Sequence, residues 1–458
     1  MMVKRRVAKQ GGGRQPSRKP KRAICLAGGG PAAGLHIGVL ESLKKNGIDF
    51  DVWALSCIGA WVGVVYNQAK QGDEIEETKK FFRDVFRNDK SFKSFPMNTI
   101  FAPDWASNAE AMWDFLLEPR NYKNALLPRE IMKSFMHTIS ALGRMSATRR
   151  RWRPLNDREF EEVREFAEFS EGDFNRWTLN HVLAVNPVVR FLTAMMYKSK
   201  IDGLSRLYYP NSKFLDNIKF DRLYEDNKPF IFHNAWNLSK QELVLFANRK
   251  DFQAKAINGY QVDGYRPIDA ASLCACSALP YIEQTVEIDG DVYCEGALVD
   301  TVNFKNLLRD HPDLDEIWIN RIVDADQILP PRNLYDSMAN LCEQFAATVG
   351  EDDVKLFKYH ITCGEAEGEF NHLTIVEIPV DRHINFDWSH SNLELGIKMG
   401  ALAADHTKKR YDEEMAKPKD PTRPRIIEAP HREERMQKRR EGLREHLRDR
   451  LAARRACP

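Results

Sequence analysis

Two strand–turn–helix units near the N-terminus constrain this chain more than any other feature. Ala23-Ile24-Cys25-Leu26-Ala27 is a short apolar run that reads as a buried parallel strand. Gly28, Gly29 and Gly30 follow at once, and Leu35, Val39, Leu40 and Leu43 then recur at helical spacing. That spacing predicts a helix from about Ala32 to Gly47. The plan repeats, with Phe50 to Leu55 reading as a strand and Ile58 to Gln68 as a helix. Strands joined by helices in this way pair in parallel and need helical cover on the sheet, which is an α/β fold.

Both turns have chemical potential. The glycines let the backbone turn sharply and let a ligand atom approach main-chain N–H groups. With a helix N-terminus next to it, the first turn is an anion-binding corner. No Gly-Lys-Ser/Thr follows it, so it is not a nucleotide P-loop. No acidic residue ends the second strand, since Asp49 and Asp51 come before its apolar run Val52 to Leu55, so a dinucleotide fingerprint is not met either. Cys57 sits at the second turn, where the helix dipole favours negative charge and predicts a thiolate-prone sulfur.

Further along stands Ala271-Ser272-Leu273-Cys274-Ala275-Cys276-Ser277-Ala278-Leu279-Pro280, followed by Glu295-Gly296-Ala297. With the glycine loop and the Leu55-Ser56-Cys57-Ile58-Gly59 turn, these segments resemble the patatin-like phospholipase family. That family has a Gly-Gly-Gly-x-x-Gly loop, a Gly-x-Ser-x-Gly elbow, an Ala-Ser-x-Ala-x-Pro helix and a final Asp-Gly-Gly/Ala, in this order. Lys228 to His233 and Leu243 to Phe246 look like its central hairpin, and Phe386 to Ser389 with Gly396 to Ala404 look like a C-terminal extension of a bacterial branch. The resemblance implies a three-layer α/β/α sandwich with a mainly parallel central sheet. It also implies hydrolysis or transfer of an acyl group from a lipid-like ester, with no metal or organic cofactor. Carried over by position, Cys57 is the nucleophile and Glu295 its partner. Gly28, Gly29 and Gly30, with Ile58 and Gly59, are the oxyanion and substrate-binding positions.

The departures shape the chemistry. The family dyad is Ser plus Asp, whereas here it is Cys57 plus Glu295. Leu55 stands where the elbow has its first glycine, Ala33 where the loop usually has arginine, and Thr301-Val302-Asn303 where an Asn-x-Pro is expected. A thiol needs a base less than a hydroxyl does, and a carboxylate beside it raises its pKa. The helix N-terminus, not Glu295, is therefore the expected activator. Leu55 is expected to crowd the elbow. Three readings stand at this point: a thiol acyl hydrolase or acyltransferase, a serine enzyme using Ser56 in a shifted elbow, and a non-catalytic scaffold that binds lipid or a partner. Within the first, short hydroxyacyl esters or thioesters are the alternative substrates.

Composition sets the remaining expectations. The formal charge is only +2, and residues 1–22 hold nine Lys/Arg and no acid, so the rest is net acidic by about 7, which argues against a nucleic-acid partner. The basic stretch lacks an apolar core and does not read as a secretory signal. Eight scattered cysteines then point to free thiols in a reducing, cytoplasmic setting. The expected layout is a basic arm (1–21) and an α/β domain (22–310) with a helical insertion (about 87–227). An extension packed on the core (311–406) and a charged, largely helical tail (407–458) complete it. Arg149 to Arg153 and the arm are candidate peripheral membrane contacts, and Leu443, Leu447 and Leu451 form a narrow helical stripe suited to a homodimer.

Overall fold

A computed structural model describes residues 18–86, 215–249, 264–280, 282–324, 334–364, 366–379 and 389–430, with short pieces at 101–102, 117, 200–201, 328 and 330–331. The insertion expected at about 87–227 lies mostly outside them, as do the basic arm, Arg149 to Arg153, Phe386 to Trp388 and the leucine stripe.

Both N-terminal units form as the sequence pattern predicts. β1 (Arg22–Leu26) leads through the glycine loop to α1 (Ala33–Lys45), and β2 (Val52–Leu55) turns at Cys57 into α2 (Ile58–Gln68). α3 (Glu74–Val85) follows, with Glu74, Glu76 and Glu77 in its first turn, where the helix dipole favours acids. β5 (Phe230–Asn237) and β6 (Glu242–Ala247) make the central hairpin, and β7 (Arg266–Pro267) extends it. α4 (Ala270–Cys276) starts on a capping box, in which Asp269 accepts from the Ser272 N–H at 2.7 Å and the Asp269 N–H donates to the Ser272 hydroxyl at 2.9 Å. β8 (Val286–Ile288), β9 (Asp291–Glu295), α5 (Phe304–Asp310), β10 (Glu316–Asn320), α6 (Leu334–Cys363), β11 (Thr374–Ile378), α7 (His390–Met415) and β12 (Arg425–Ile427) complete the main unit. Residues 97–205 with 332–335 form a second compact unit, which contains the antiparallel pair β3 (Phe101–Ala102) and β4 (Lys200–Ile201).

The sheet order is β12-β11-β10-β1-β2-β5-β6-β7, parallel from β12 to β5. Side chains alternate along each strand, so one strand feeds two cores. Ile24, Leu26, Trp53, Leu55 and Trp318 face α1, α2, α4 and α7, whereas Ala23, Cys25, Val52, Ala54, Ile317 and Ile319 face α5 and α6. That is the expected three-layer arrangement.

The sheet does not end with the 22–310 segment. β10 pairs with β1, and β12 adds an edge strand beyond β11. The boundary drawn at 406/407 falls inside α7, and residues 425–427 of the expected helical tail are a strand. Pro424 and Pro430 bound this segment, and its β-branched Ile426 and Ile427 suit edge pairing with β11.

α7 is held against α1 at backbone distance. A Cβ added at Gly38 would lie 2.0 Å from the Ile397 carbonyl oxygen, and one at Gly400 would lie 2.1 Å from that of Leu35. Gly34 and Gly396 meet in the same seam. Glycines four apart on each helix leave a groove in which the two main chains touch.

Candidate active site

Register assembles the site. In β5, His233 is the partner of Leu55, the last residue of β2. Beyond it β2 turns away into α2, and the vacated edge of β5 is taken by antiparallel β9, with Ala235 paired to Glu295. Cys57 lies two residues past Leu55, and Glu295 lies two residues farther along β5 from the partner of Leu55. The wedge of β9 thus sets the carboxyl beside the sulfur, and the Cys57 thiol hydrogen-bonds the Glu295 carboxyl.

Cys57 adopts φ 49° and ψ −125°, a conformation that costs a non-glycine residue roughly 1–3 kcal/mol. The turn is tied down on several sides. The Gly59 and Ala60 N–H groups donate to Ser56 O and Cys57 O, both at 2.9 Å, and the Cys57 N–H donates to Cys276 Sγ on α4 at 3.2 Å. Behind it, Asn303 Nδ2 donates to Ser56 Oγ at 3.0 Å and Leu55 O at 3.3 Å, while Asn234 Nδ2 donates to Asn303 Oδ1 at 2.9 Å and Asp300 O at 2.7 Å. Ser56 is fully buried in this amide network. Its hydroxyl braces the elbow from behind, whereas Cys57 lines the cavity above it.

Leu55 does not crowd the turn. Its side chain enters the notch at Gly63, one helical turn past Gly59, where an added Cβ would be 2.5 Å from Leu55 Cδ1. Gly59 serves packing and not an oxyanion: its N–H is committed to Ser56 O, and an added Cβ would meet Leu26 O at 2.2 Å.

The glycine loop crosses over Cys57 and Glu295. A Cβ on Gly28 would sit 3.1 Å from Cys57 Cβ and 3.5 Å from Glu295 Oε1, so only glycine passes this close. The Gly29 N–H points at the Cys57 sulfur. Ile322 and Val323 press on Gly29 from the other side, and Gly30 turns the chain at φ 61°. Ile58 opens α2, so its N–H is one of the helix's first donors. The loop is pinned by buried His36: its Nε2–H donates to Ala27 O at 2.9 Å, and its Nδ1 accepts from Asn320 Nδ2 at 2.7 Å. Burial pushes His36 down to about 4, so it stays neutral and keeps both bonds.

The electrostatics overturn the expectation of a thiolate-prone cysteine. Burial first, and then the Glu295 charge, push the Cys57 thiol well above its ordinary value. The Gly29 N–H works the other way and does not offset these. Burial pushes the Glu295 carboxyl up to about 7, although the thiol contact works the other way. Among the described residues, Glu295 Oε2 has no hydrogen-bond partner. The ground state is therefore a thiol beside a carboxyl group poised near neutrality. A cavity of about 20 Å³ sits over the pair, lined by Leu279, Ala297, Leu298 and, from α6, Cys342, Glu343 and Ala346. It has room for roughly one water molecule.

Asn234, Asn303 and His36 were not singled out by sequence reasoning. The available signal was a polar side chain inside an apolar strand or helix, which burial makes costly unless it bonds.

The strand–turn–helix elbow, the glycine loop over it and the mainly parallel sheet together make a patatin-like arrangement. The comparison with known families agrees. The description "Patatin-like phospholipase" matches residues 24–308, more than half of the sequence, and the chain belongs to that family. Among solved structures, VipD from Legionella pneumophila is similar at 13% identity, over 86% of this chain and 67% of that one, with a TM-score of 0.34. No curated protein matches. Among the described residues no helix is long and apolar enough to cross a membrane.

Proposed function

We propose that this patatin-like protein hydrolyses or transfers the acyl group of a lipid-like carboxylic ester through an acyl-Cys57 intermediate. The observation that carries the reading is the Glu295 carboxyl bonded to the Cys57 thiol under the Gly29 N–H. Glu295, ionised above about pH 7, takes the thiol proton as Cys57 Sγ attacks the ester carbonyl carbon. The N–H groups of Gly29 and Ile58 hold the developing oxyanion. On collapse the C–O bond breaks and Glu295 returns the proton to the leaving alcohol oxygen. Water, or an acceptor alcohol, then gives its proton to Glu295 and attacks the thioester. The second collapse releases the acid or new ester and restores the thiol.

The 20 Å³ cavity carries a second reading, a non-catalytic lipid-binding or interaction scaffold, because no acyl chain enters it as it stands. Intact-mass analysis separates the two. Full-length protein and Cys57→Ala are mixed with activated acyl esters from short to long, including hydroxyacyl thioesters. One added acyl mass on the wild type, absent from the variant and lost with time, is the expected result. No adduct and no released acid with any ester overturns the enzyme reading and leaves the scaffold.

A further inference from the structure

A second cavity lies at the other end of the sheet. The dyad sits past the C-terminal ends of β1 and β2, whereas an open cleft of about 560 Å³ lies at the first residues of β10, β11 and β12, namely Glu316, Thr374 and Arg425. That volume is within the range of small-ligand sites, roughly 300–1,000 Å³.

The acids that line the cleft are already engaged. Glu316 pairs with Arg22 at 2.8 Å and accepts the Tyr411 hydroxyl at 2.7 Å, and Asp315 accepts the Lys21 backbone N–H at 2.7 Å with Arg18 at 3.9 Å. Two cations of the α7–β12 connection and of β12 are different. The Lys419 ammonium donates to the carbonyls of His372 and Leu373, and the Arg425 guanidinium donates to Lys417 O at 2.8 Å and to Met415 Sδ at 3.1 Å. Among the described residues, neither has a carboxylate within ion-pair distance. Each is held by uncharged groups that fix its position and leave its charge unpaired. Burial and then the Arg425 charge push the Lys419 ammonium below its ordinary value, and the Asp315 charge only partly opposes them. Two like charges set side by side are electrostatically unfavourable until an anion comes between them.

We infer that this cleft binds the phosphate group of a small molecule or lipid headgroup, with Lys419 and Arg425 as its cationic holders. Thr374 lies beside them, and Pro20, Met415 and the Tyr411 ring offer an apolar wall for the organic part of the ligand. A phosphate monoester fits better than a lone carboxylate, because its extra charge and oxygen atoms match two separate cations.

The test uses the full chain. Calorimetry with inorganic pyrophosphate and with glycerol 3-phosphate is run on the wild type, on K419Q/R425Q and on K45Q, a charge control on exposed Lys45 at the end of α1. Sedimentation with phosphatidic acid vesicles, against phosphatidylcholine alone, reads the lipid source. Saturable binding by wild type and K45Q, weakened about tenfold or more in K419Q/R425Q, is expected from the loss of two charge-assisted contacts. Binding confined to phosphatidic acid vesicles and lost in the double variant assigns the phosphate to a headgroup. Absence of saturable binding in every arm, or equal binding by K419Q/R425Q, overturns the site. Thermal unfolding of each variant checks that the substitutions leave the fold intact.

Discussion

Glu295→Gln should abolish activity and, at the same time, stabilise the protein at alkaline pH. Glu295 rises from the usual 4.5 to about 7 in the folded chain. A carboxyl raised in this way favours folding fully below pH 4.5, where both states are protonated. As pH climbs towards 7 the unfolded chain gives up the proton and the folded chain does not, so stability is lost. The gap between the two values, at 1.36 kcal/mol per pH unit, is about 3 kcal/mol. The substituted glutamine occupies nearly the same volume with no charge to bury, so the variant escapes the loss. Urea unfolding at pH 4.5 and pH 8 measures the difference between the two proteins. Glu343 and Asp353 are also pushed up to about 7, largely by burial, but they titrate in both and cancel. The variant should gain about 3 kcal/mol on the wild type between the two pH values, offset at both by the altered bond to Cys57. If the stability difference is the same at pH 4.5 and pH 8, Glu295 is not a neutral-range acid, and the assignment of base to Glu295 fails with it.

Two structural predictions accompany it. Leu55→Gly empties the notch at Gly63 and should destabilise by about 3–5 kcal/mol in denaturant unfolding, as buried leucine truncations do, without raising turnover per folded molecule; a rise in turnover would show that Leu55 strains the elbow. Gly38→Ala puts a methyl 2.0 Å from the Ile397 carbonyl oxygen, and the forced separation of α1 from α7 should cost about 1–3 kcal/mol or more, read as a lower thermal midpoint; an unchanged midpoint would mean the seam is looser than described.

Much of this was legible in the chain. Apolar runs and glycine punctuation place β1, α1, β2 and α2 within a residue or two, because those elements follow local pattern. The pairing of Cys57 with Glu295 was legible only through the family order of motifs. Its physical cause, β9 entering the edge that β2 vacates, is a long-range register that no local pattern encodes. The same holds for Leu55 and Gly63, which compensate each other across a strand–helix contact, and for the glycine seam of α1 and α7. The charge state of Cys57 was misread because a helix N-terminus is visible in sequence and the depth of burial is not. β12 was missed because three residues of edge strand leave little periodicity to detect.

The wedge of β9 also orders events in time. Cys57 leaves the ribosome long before Glu295, by on the order of ten seconds or more at roughly 5–20 residues per second. Until then the elbow has no carboxyl partner, and β5 has an unpaired edge beside it. A nascent chain, or one cut short before residue 295, therefore carries the Cys57 thiol without the Glu295 carboxyl. On the proposed mechanism, acyl transfer then waits until β9 closes the sheet, and the order of synthesis sets when the site is complete.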